Sequence, residues 1–204
     1  MTQWAIVVTV KPIHDAKTRL ALPAAARADI VLAMFRDTLA AAAAVPGTRL
    51  LVVTDDVQAR EAAAALGALV VGGEPPGGLN TAVGFGVDAA RATWGEIRVA
   101  SLAGDLPALR ASELAEALDA AAGHERAFVA DADGDGTTLL CAVGDLHAAY
   151  GPSSAARHSA SGATPLSGGW PGLRRDVDTV AGLAAARQLG VGLHTAATLG
   201  RVLP

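Results

Sequence analysis

The sequence predicts an α/β fold with three layers, in which a mostly parallel central sheet lies between two layers of helices. Apolar runs alternate with stretches of helical periodicity through about the first 125 residues, and this alternation is typical of parallel βαβ units. The runs are nearly continuous, as in strands buried on both faces. With 204 residues, 51% of them hydrophobic, the chain is expected to form a single domain over residues 1–204.

Six apolar runs are predicted to form the strands, because each is short and ends beside turn-forming or polar residues. In chain order they span residues 5–10, 49–54, 68–71, 97–102, 127–130 and 138–143. The intervening helices are predicted at residues 24–44, 57–66, 80–93 and 112–122, and a further helix at 179–189.

Residues at the helix ends have capping chemistry. Gly67 follows the second helix as a C-cap. Asn80, Ser112 and Asp178 stand at the starts of later helices, where their side chains are expected to act as N-caps.

Residues 131–175 are richer in Gly, Ser and Pro than the rest of the chain, and we expect an inserted hairpin and loops over the active face. Residues 131–136 read Asp-Ala-Asp-Gly-Asp-Gly, like the start of a calcium-binding EF loop. Ala142 stands where that loop requires glutamate. The segment is therefore interpreted as a turn between two strands that exposes Thr137 and Thr138.

Composition excludes several classes of protein. The net charge is −4 and no basic stripe is visible, which argues against a nucleic-acid partner. No apolar run approaches the length of a membrane span, and residues 1–4 lack the basic region of a signal peptide. We therefore expect a cytoplasmic protein without a membrane partner.

Catalysis through a protein nucleophile is not indicated. No Gly-x-Ser-x-Gly motif occurs, and the single cysteine, Cys141, lies in an apolar run where a buried thiol is expected. The five histidines have no ligand spacing and are all expected at the surface: His14, His124, His147, His158 and His194.

Polar residues follow the ends of several predicted strands. Lys11, Thr54, Asp105 and the 131–138 loop lie at or after such ends, and open α/β sheets bind ligands beyond the carboxyl ends of their strands. Carboxylates there suit a hard divalent cation, and glycine and hydroxyl loops suit phosphate. The sequence thus predicts a metal-assisted enzyme that acts on phosphates.

The loop after the first strand carries three cations, Lys11, Lys17 and Arg19. Positive charge near transferring and leaving phosphates is what triphosphate chemistry needs, so these three are candidate catalytic residues. The alternative is a solvated basic loop. The loop lacks the Gly-rich Lys-Ser/Thr pattern of a P-loop.

Two carboxylates are candidate ligands of Mg²⁺. Asp105 follows the fourth strand, and Asp176 is separated from Asp178 by one residue. On a strand those two would point the same way. One of them could complete a metal site with Asp105, and Asp178 is favoured as a cap of the following helix; for Asp105 the alternative is a turn or capping role.

A glycine-led segment opens the third predicted helix. Gly78 permits close approach to a flat base, and the Asn80 amide suits pairing with a base edge, with Thr81 beside it. The alternative is an ordinary loop in which Asn80 caps the helix.

Six motifs occur in order along nearly the whole chain. They are residues 11–20, 78–82 (Gly-Leu-Asn-Thr-Ala), 105–109 (Asp-Leu-Pro-Ala-Leu), 134–140 (Gly-Asp-Gly-Thr-Thr-Leu-Leu), 151–158 (Gly-Pro-Ser-Ser-Ala, then His158) and 173–179 (Leu-Arg-Arg-Asp-Val-Asp-Thr). Together they resemble the phosphoenolpyruvate or 2-phospho-L-lactate guanylyltransferases of deazaflavin (coenzyme F420) biosynthesis. Val180 and Gly182 depart from the family, which often has Pro and Asp there.

The resemblance implies a Rossmann-like nucleotidyltransferase fold and GTP as donor. The phosphate of a three-carbon acid would attack the α-phosphate, and pyrophosphate would leave. It also implies that Thr137, Gly151 and Ser154 hold phosphoenolpyruvate and that Asp105 and Asp176 hold Mg²⁺, with Thr138 open as a replacement for Thr137. Hand-over of the product to the next biosynthetic enzyme is expected; the oligomeric state stays open.

Other functions stay open on the sequence alone. Alternative acceptors in the same reaction are 2-phospho-L-lactate and 3-phosphoglycerate. Another nucleotidyltransferase, acting on a sugar phosphate or molybdopterin, is disfavoured by the Gly-Pro-Ser-Ser loop. A nucleotide-binding module without turnover is disfavoured by the presence of both Asp105 and Asp176.

Overall fold

The computed structural model describes residues 3–202 and contains a seven-stranded sheet with helices on both faces. Residues 1 and 2, part of the segment inspected for a signal peptide, lie outside that range. The strands are β1 (Trp4–Thr9), β2 (Thr48–Val53), β3 (Leu69–Val71), β4 (Arg98–Leu102), β5 (Arg126–Ala130), β6 (Thr137–Ala142) and β7 (Thr164–Pro165). The helices are α1 (Ala24–Ala43), α2 (Val57–Ala65), α3 (Leu79–Trp94), α4 (Ala111–Ala121), α5 (Ser154–Ala160), α6 (Pro171–Arg174), α7 (Val180–Leu189) and α8 (Leu193–Val202).

The sheet is mostly parallel, as the sequence predicts. Its strand order is β3-β2-β1-β4-β6-β5-β7. β1 pairs in parallel with β2 and β4, whereas β6 runs antiparallel to both of its neighbours, β4 and β5. The predicted inserted hairpin is therefore β5–β6. Consequently the carboxyl ends of β1 and β4 and the turn before β6 lie at the same edge of the sheet.

Alternating side chains of each central strand pack on opposite layers. In β1, Trp4, Ile6 and Val8 join an apolar cluster that includes buried residues of α1, α2 and α4, whereas Ala5 and Val7 join a second cluster with residues of α3. Burial on both faces explains why the β1 run is continuously apolar.

Several local predictions were wrong. Ser112 lies inside the first turn of α4, with Arg110 at the N-cap, and α3 begins at Leu79 with Gly78 at the N-cap, so neither Ser112 nor Asn80 caps a helix. The α7 cap is Thr179, whose side chain accepts from the Gly182 N–H at 3.1 Å, rather than Asp178. Gly67 directly follows the C-cap of α2 with φ of 73°, as its predicted role requires.

Burial corrects two further predictions and confirms a third. Thr137 and Thr138 belong to β6 and are buried instead of exposed in the turn, and His158 is buried instead of at the surface. Cys141 is buried in β6 as expected, and this burial raises the pKa of its thiol. Among residues 3–202 no helix is long and apolar enough to cross a bilayer.

Candidate functional site

A cleft of about 330 Å³ opens at the carboxyl ends of β1 and β4. Five of the predicted site residues line it: Lys11, Lys17, Asp105, Thr137 and Asp176. Ser101, Tyr150 and Asp178 complete much of its polar wall. These five residues therefore lie where open α/β sheets bind their ligands, beyond the carboxyl ends of the strands.

The remaining predicted residues lie around the cleft. Arg19 borders an adjoining hollow together with Lys17. Gly78, Asn80 and Thr81 form the start of α3, whose Leu79 lines the cleft. Gly151 follows the cleft residue Tyr150 and Ser154 begins α5. Thr54 does not line the cleft; its hydroxyl accepts a hydrogen bond from the Asp56 N–H at 3.1 Å.

Two acidic segments meet through the backbone. The Val177 N–H donates to the carbonyl of Asp105 at 3.2 Å, which brings the loop after β4 against the segment after α6. Residues 175–179 are irregular rather than a strand, so the side-chain alternation of a strand does not apply to Asp176 and Asp178. Both carboxylates nevertheless line the cleft.

Helix α4 holds the segment that leads to Asp176. The buried Glu113 carboxylate accepts from the backbone N–H groups of Gly172 and Leu173 at 3.2 and 2.9 Å. One turn along, Glu116 accepts from the indole N–H of Trp170 at 3.0 Å. Sequence reasoning missed Glu113; a glutamate on the apolar face of an amphipathic helix was the available signal.

Lys17 lies between two carboxylates. Its ammonium contacts Asp105 and Asp178. Burial lowers the pKa of Lys17, but these two carboxylates outweigh burial and raise the pKa above its ordinary value. Burial raises the pKa of Asp178, yet Lys17 and Arg19 bring it below the ordinary value. Lys17 is therefore charged, and Asp178 is occupied by an ion pair rather than by capping α7.

Of the three aspartates among the described residues that line the cleft, Asp176 is the one that Lys17 does not contact. Burial and the negative charges of Asp105, Asp131 and Asp178 raise its pKa to about 7, against an opposing effect of Lys17. Carboxylates crowded in this way attract a cation. In the described part of the chain no three His, Cys, Asp or Glu side chains are grouped to hold a metal. Asp105 and Asp176 instead fit the mode in which Mg²⁺ takes one or two carboxylates and completes its shell with substrate phosphates and water.

The hydroxyl of Thr137 is the centre of a polar cluster at the other side of the cleft. Its Oγ1 lies 3.2 Å from Oγ of Ser154 and 2.9 Å from Nδ1 of His158. Thr138 instead donates to the carbonyl of Val129 at 3.4 Å and does not line the cleft. Of the two threonines, Thr137 is the one that lines the cleft.

The loop before α5 has a strained backbone that glycine accommodates. Gly151 has φ of 128°, a conformation that L side chains rarely adopt. Asp135, in the turn between β5 and β6, holds the residues that follow. Its carboxylate accepts a hydrogen bond from the Ser153 N–H at 3.2 Å, and its backbone carbonyl accepts one from the Ala155 N–H at 3.0 Å. Residues 151–155 are therefore anchored to the turn before β6.

The amide of Asn80 connects the start of α3 with the same loop. Its Oδ1 accepts from the Tyr150 N–H at 2.7 Å, and its Nδ2 donates to the Tyr150 carbonyl at 3.1 Å. Tyr150 in turn donates its hydroxyl to Oγ of Ser101 at 2.9 Å. Sequence reasoning missed Tyr150, although it directly precedes the Gly-Pro-Ser-Ser motif, because its role in the site depends on these tertiary contacts.

The chain is similar in sequence to known proteins along nearly its whole length. The family model described as "Guanylyl transferase CofC like" matches residues 4–160. A phosphoenolpyruvate guanylyltransferase of Geodermatophilus obscurus is 52% identical over 206 residues, covering 97% of this chain and 94% of that protein. One of Mycobacterium marinum is 49% identical over 200 residues, covering 94% of this chain and 91% of that protein.

Solved structures share the fold at low identity. A 4-diphosphocytidyl-2C-methyl-D-erythritol synthase has a TM-score of 0.62 at 13% identity, covering 93% of this chain and 99% of that one. A nucleotidyl transferase from Methanothermobacter has a TM-score of 0.58 at 19% identity, covering 93% and 98%. The predicted Rossmann-like nucleotidyltransferase fold is confirmed.

Proposed function

This chain belongs to the guanylyl transferase CofC-like family, and from that membership we propose that it transfers GMP from GTP to phosphoenolpyruvate. The products are enolpyruvyl-diphosphoguanosine and pyrophosphate. The observation that carries the proposal is the identity of about half of all residues, over nearly the full length, with proteins named phosphoenolpyruvate guanylyltransferase.

The reaction needs positioning and charge more than a protein nucleophile. An oxygen of the acceptor phosphate, ionised at neutral pH, attacks the α-phosphorus of GTP and forms a new P–O bond. The bond from the α-phosphorus to the bridging oxygen breaks, and that oxygen leaves with pyrophosphate. Two lysines and three aspartates are the charged residues of the cleft wall, and among the described residues that line it there is no cysteine or histidine. This composition agrees with catalysis by positioning and electrostatics.

We assign the triphosphate to the part of the cleft that holds Lys11 and Lys17, beside Arg19 of the adjoining hollow. Lys11, Lys17 and Arg19 would neutralise the negative charge that moves to the departing pyrophosphate. Asp105 and Asp176 would hold Mg²⁺, which supplies further positive charge at the phosphates. Asp178 contacts Lys17, as Asp105 also does, whereas Asp176 faces other carboxylates, and for that reason Asp176 is preferred as the second ligand.

The guanine of GTP and the acceptor would lie on opposite sides of the contact between the Asn80 side chain and the Tyr150 backbone. Gly78 and Thr81 would bind the nucleotide at the start of α3, which Asn80 would position through its two hydrogen bonds to the Tyr150 backbone. The phosphate and carboxylate of the acceptor would be bound by Thr137, Gly151 and Ser154. Thr137 lines the cleft, and the hydroxyl of Ser154 contacts the hydroxyl of Thr137.

The biological setting follows from the proposed reaction. Its product would be an intermediate of coenzyme F420 biosynthesis, handed to the next enzyme of that route. We place the reaction in the cytoplasm, because GTP and phosphoenolpyruvate are made and used there.

Pyrophosphate release tests this function directly. GTP is incubated with phosphoenolpyruvate, 2-phospho-L-lactate or 3-phosphoglycerate, with Mg²⁺ or with a chelator. We expect turnover with GTP and phosphoenolpyruvate that the chelator abolishes and that ATP does not support. Faster turnover with 2-phospho-L-lactate or 3-phosphoglycerate would overturn the acceptor, and equal rates with ATP and GTP at low concentration would overturn the donor.

A further inference from the structure

His158 is buried directly behind the cleft. It lies on α5, has no exposed surface, and packs its ring against Phe128 and edge-on against Tyr150 at centroid distances of 5.9 and 5.1 Å. It does not line the cleft. Any effect on a ligand therefore passes through the groups that it contacts.

Backbone hydrogen bonding determines which ring nitrogen carries the proton. The Ala149 N–H donates to Nε2 of His158 at 2.9 Å, so Nε2 bears a lone pair. In a neutral imidazole the other nitrogen, Nδ1, then carries the hydrogen. Burial, together with the charges of Arg126 and Arg157, lowers the pKa of His158 to about 4, which agrees with a neutral ring at physiological pH.

The tautomer fixes the direction of the next hydrogen bond. Nδ1 of His158 lies 2.9 Å from Oγ1 of Thr137, and with its hydrogen on Nδ1 the ring donates to that oxygen. Ser154 Oγ lies 3.2 Å away as a second donor to Thr137. A hydroxyl has two acceptor lone pairs and one hydrogen, so Thr137 accepts twice and its own hydrogen is directed elsewhere. Thr137 is the member of this cluster that lines the cleft.

We propose that His158 is a positioning residue for the acceptor: its Nδ1–H turns the Thr137 hydroxyl so that this hydroxyl donates its hydrogen to the anionic group of the acceptor in the cleft. The inference rests on the proposed function, because it assigns Thr137 to the acceptor side. Without the donor at Nδ1, the Thr137 hydroxyl would be free to rotate and donate back into the protein. The acceptor would then lose a hydrogen bond that GTP does not use.

Two variants separate the two hydrogen bonds of His158. An asparagine side chain places its amide N–H near the position of Nδ1, whereas a glutamine reaches the position of Nε2. H158N therefore keeps the donor to Thr137 and loses the acceptor for Ala149, and H158Q does the reverse. If His158 served only to hold the Ala149 loop, H158Q would be the milder change.

Steady-state kinetics with GTP and phosphoenolpyruvate give the readout. We expect H158Q to raise the KM for phosphoenolpyruvate roughly tenfold, the effect of one hydrogen bond to a charged group, with less than about a twofold change in the KM for GTP. H158N should stay within about threefold of the wild type for both. In a T137V background, H158Q should add no further increase, because the hydroxyl that it orients is gone.

Several results would overturn the role of His158. These are an equal rise in both KM values, a larger loss in H158N than in H158Q, or a full tenfold effect of H158Q in the T137V background. The wild-type rate is measured first: a wild type inactive with phosphoenolpyruvate overturns the proposed function, whereas an active wild type with one of these patterns overturns only the role of His158.

A measurement on the wild type keeps the inference testable if a variant does not fold. The ¹⁵N shifts of the imidazole should show Nδ1 protonated and Nε2 unprotonated at neutral pH. A proton on Nε2, or on both nitrogens, would overturn the proposed direction of the hydrogen bond to Thr137.

Discussion

The side-chain amide of Asn80 uses both of its polar atoms on the backbone of Tyr150, at 2.7 and 3.1 Å. The start of α3, assigned to the nucleotide, is thereby fastened to the residue that precedes Gly151, assigned to the acceptor. The two proposed subsites therefore share a structural connection at this amide.

Substitution of Asn80 should affect both substrates. In N80A the Tyr150 backbone loses two hydrogen bonds, so we expect the KM for phosphoenolpyruvate and the KM for GTP each to rise at least about fivefold. N80D keeps the acceptor for the Tyr150 N–H and should be intermediate for phosphoenolpyruvate. An increase in the KM for GTP alone would show that Asn80 serves only the nucleotide.

Loss of either proposed metal ligand should greatly slow turnover. We expect D105A and D176N to lower kcat roughly a thousandfold at saturating Mg²⁺, because a missing ligand removes several kcal/mol of transition-state stabilisation. The matched control is D133A, which removes a carboxylate that does not line the cleft. Asp133 is exposed, and its carboxylate lies 3.9 Å from the guanidinium of Arg175. Near-normal turnover of D105A would refute the metal site. A larger loss of kcat in D178N than in D176N would show that Asp178, and not Asp176, is the second ligand.

Removal of the Ser154 hydroxyl should act on the acceptor alone. S154A is expected to raise the KM for phosphoenolpyruvate roughly tenfold with little change in the KM for GTP. S153A is the neighbouring control, because Ser153 is exposed and its fixed contact with Asp135 uses the backbone N–H. A S154A enzyme with wild-type constants would remove Ser154 from the acceptor site.

Glu113 should stabilise both the fold and the site. In E113A two buried N–H groups, of Gly172 and Leu173, lose their acceptor, and we expect the free energy of unfolding to fall by about 2–4 kcal/mol. Urea denaturation measures this, with E116A as the comparison because Glu116 accepts from a single indole N–H. An E113A protein as stable as E116A would contradict this role.

Acid should weaken the fold through His158. Its pKa is about 4 in the folded chain and 6.5 when unperturbed, so between these values the unfolded chain binds the proton and the folded chain does not. Stability from this group is present above pH 6.5 and is lost as the pH falls towards 4. Asp176, whose raised pKa is about 7, acts in the opposite direction over the same range.

The two effects are separated by comparison of variants. The urea midpoint of H158N should fall less between pH 7 and pH 5 than that of the wild type, with Asp176 and the neighbouring Arg126 and Arg157 unchanged in both proteins. Parallel midpoints over this range would show that His158 is not neutral and buried as described.

Much of the fold could be predicted because local pattern and burial coincide in it. The β1 run is apolar on both faces and was located to within a residue. Helix α8 was not predicted: its first residue, Leu193, is exposed, and its N-terminal N–H groups of His194 and Thr195 are bound by Asp37, far away in the chain. Nothing local in residues 193–202 indicates that contact.

The residues of the site likewise divide into those that the sequence predicts and those that depend on tertiary contacts. Lys11 and Asp105 were placed in one cleft because the carboxyl ends of parallel strands share an edge. Asp178 was misassigned because a cap residue and an ion-pair partner look alike in sequence, and the position of Lys17 decides between them. His158 was expected at the surface, since only the tertiary contacts with Thr137 and Ala149 show that its ring is used inside.

Because β6 is antiparallel to β4, the two sides of the cleft are built from different kinds of chain segment. Because β6 runs opposite to β4, it contributes its first residue, Thr137, to the edge where β1 and β4 contribute the loops beyond their last residues. The turn at 131–136 and the loop anchored to it can therefore change in length or composition while the parallel strands that carry Lys11 and Asp105 stay intact. The proposed acceptor side of the cleft is therefore carried by a turn and a loop, and the proposed triphosphate side by the ends of parallel strands, with the Asn80 contact joining the loop to α3.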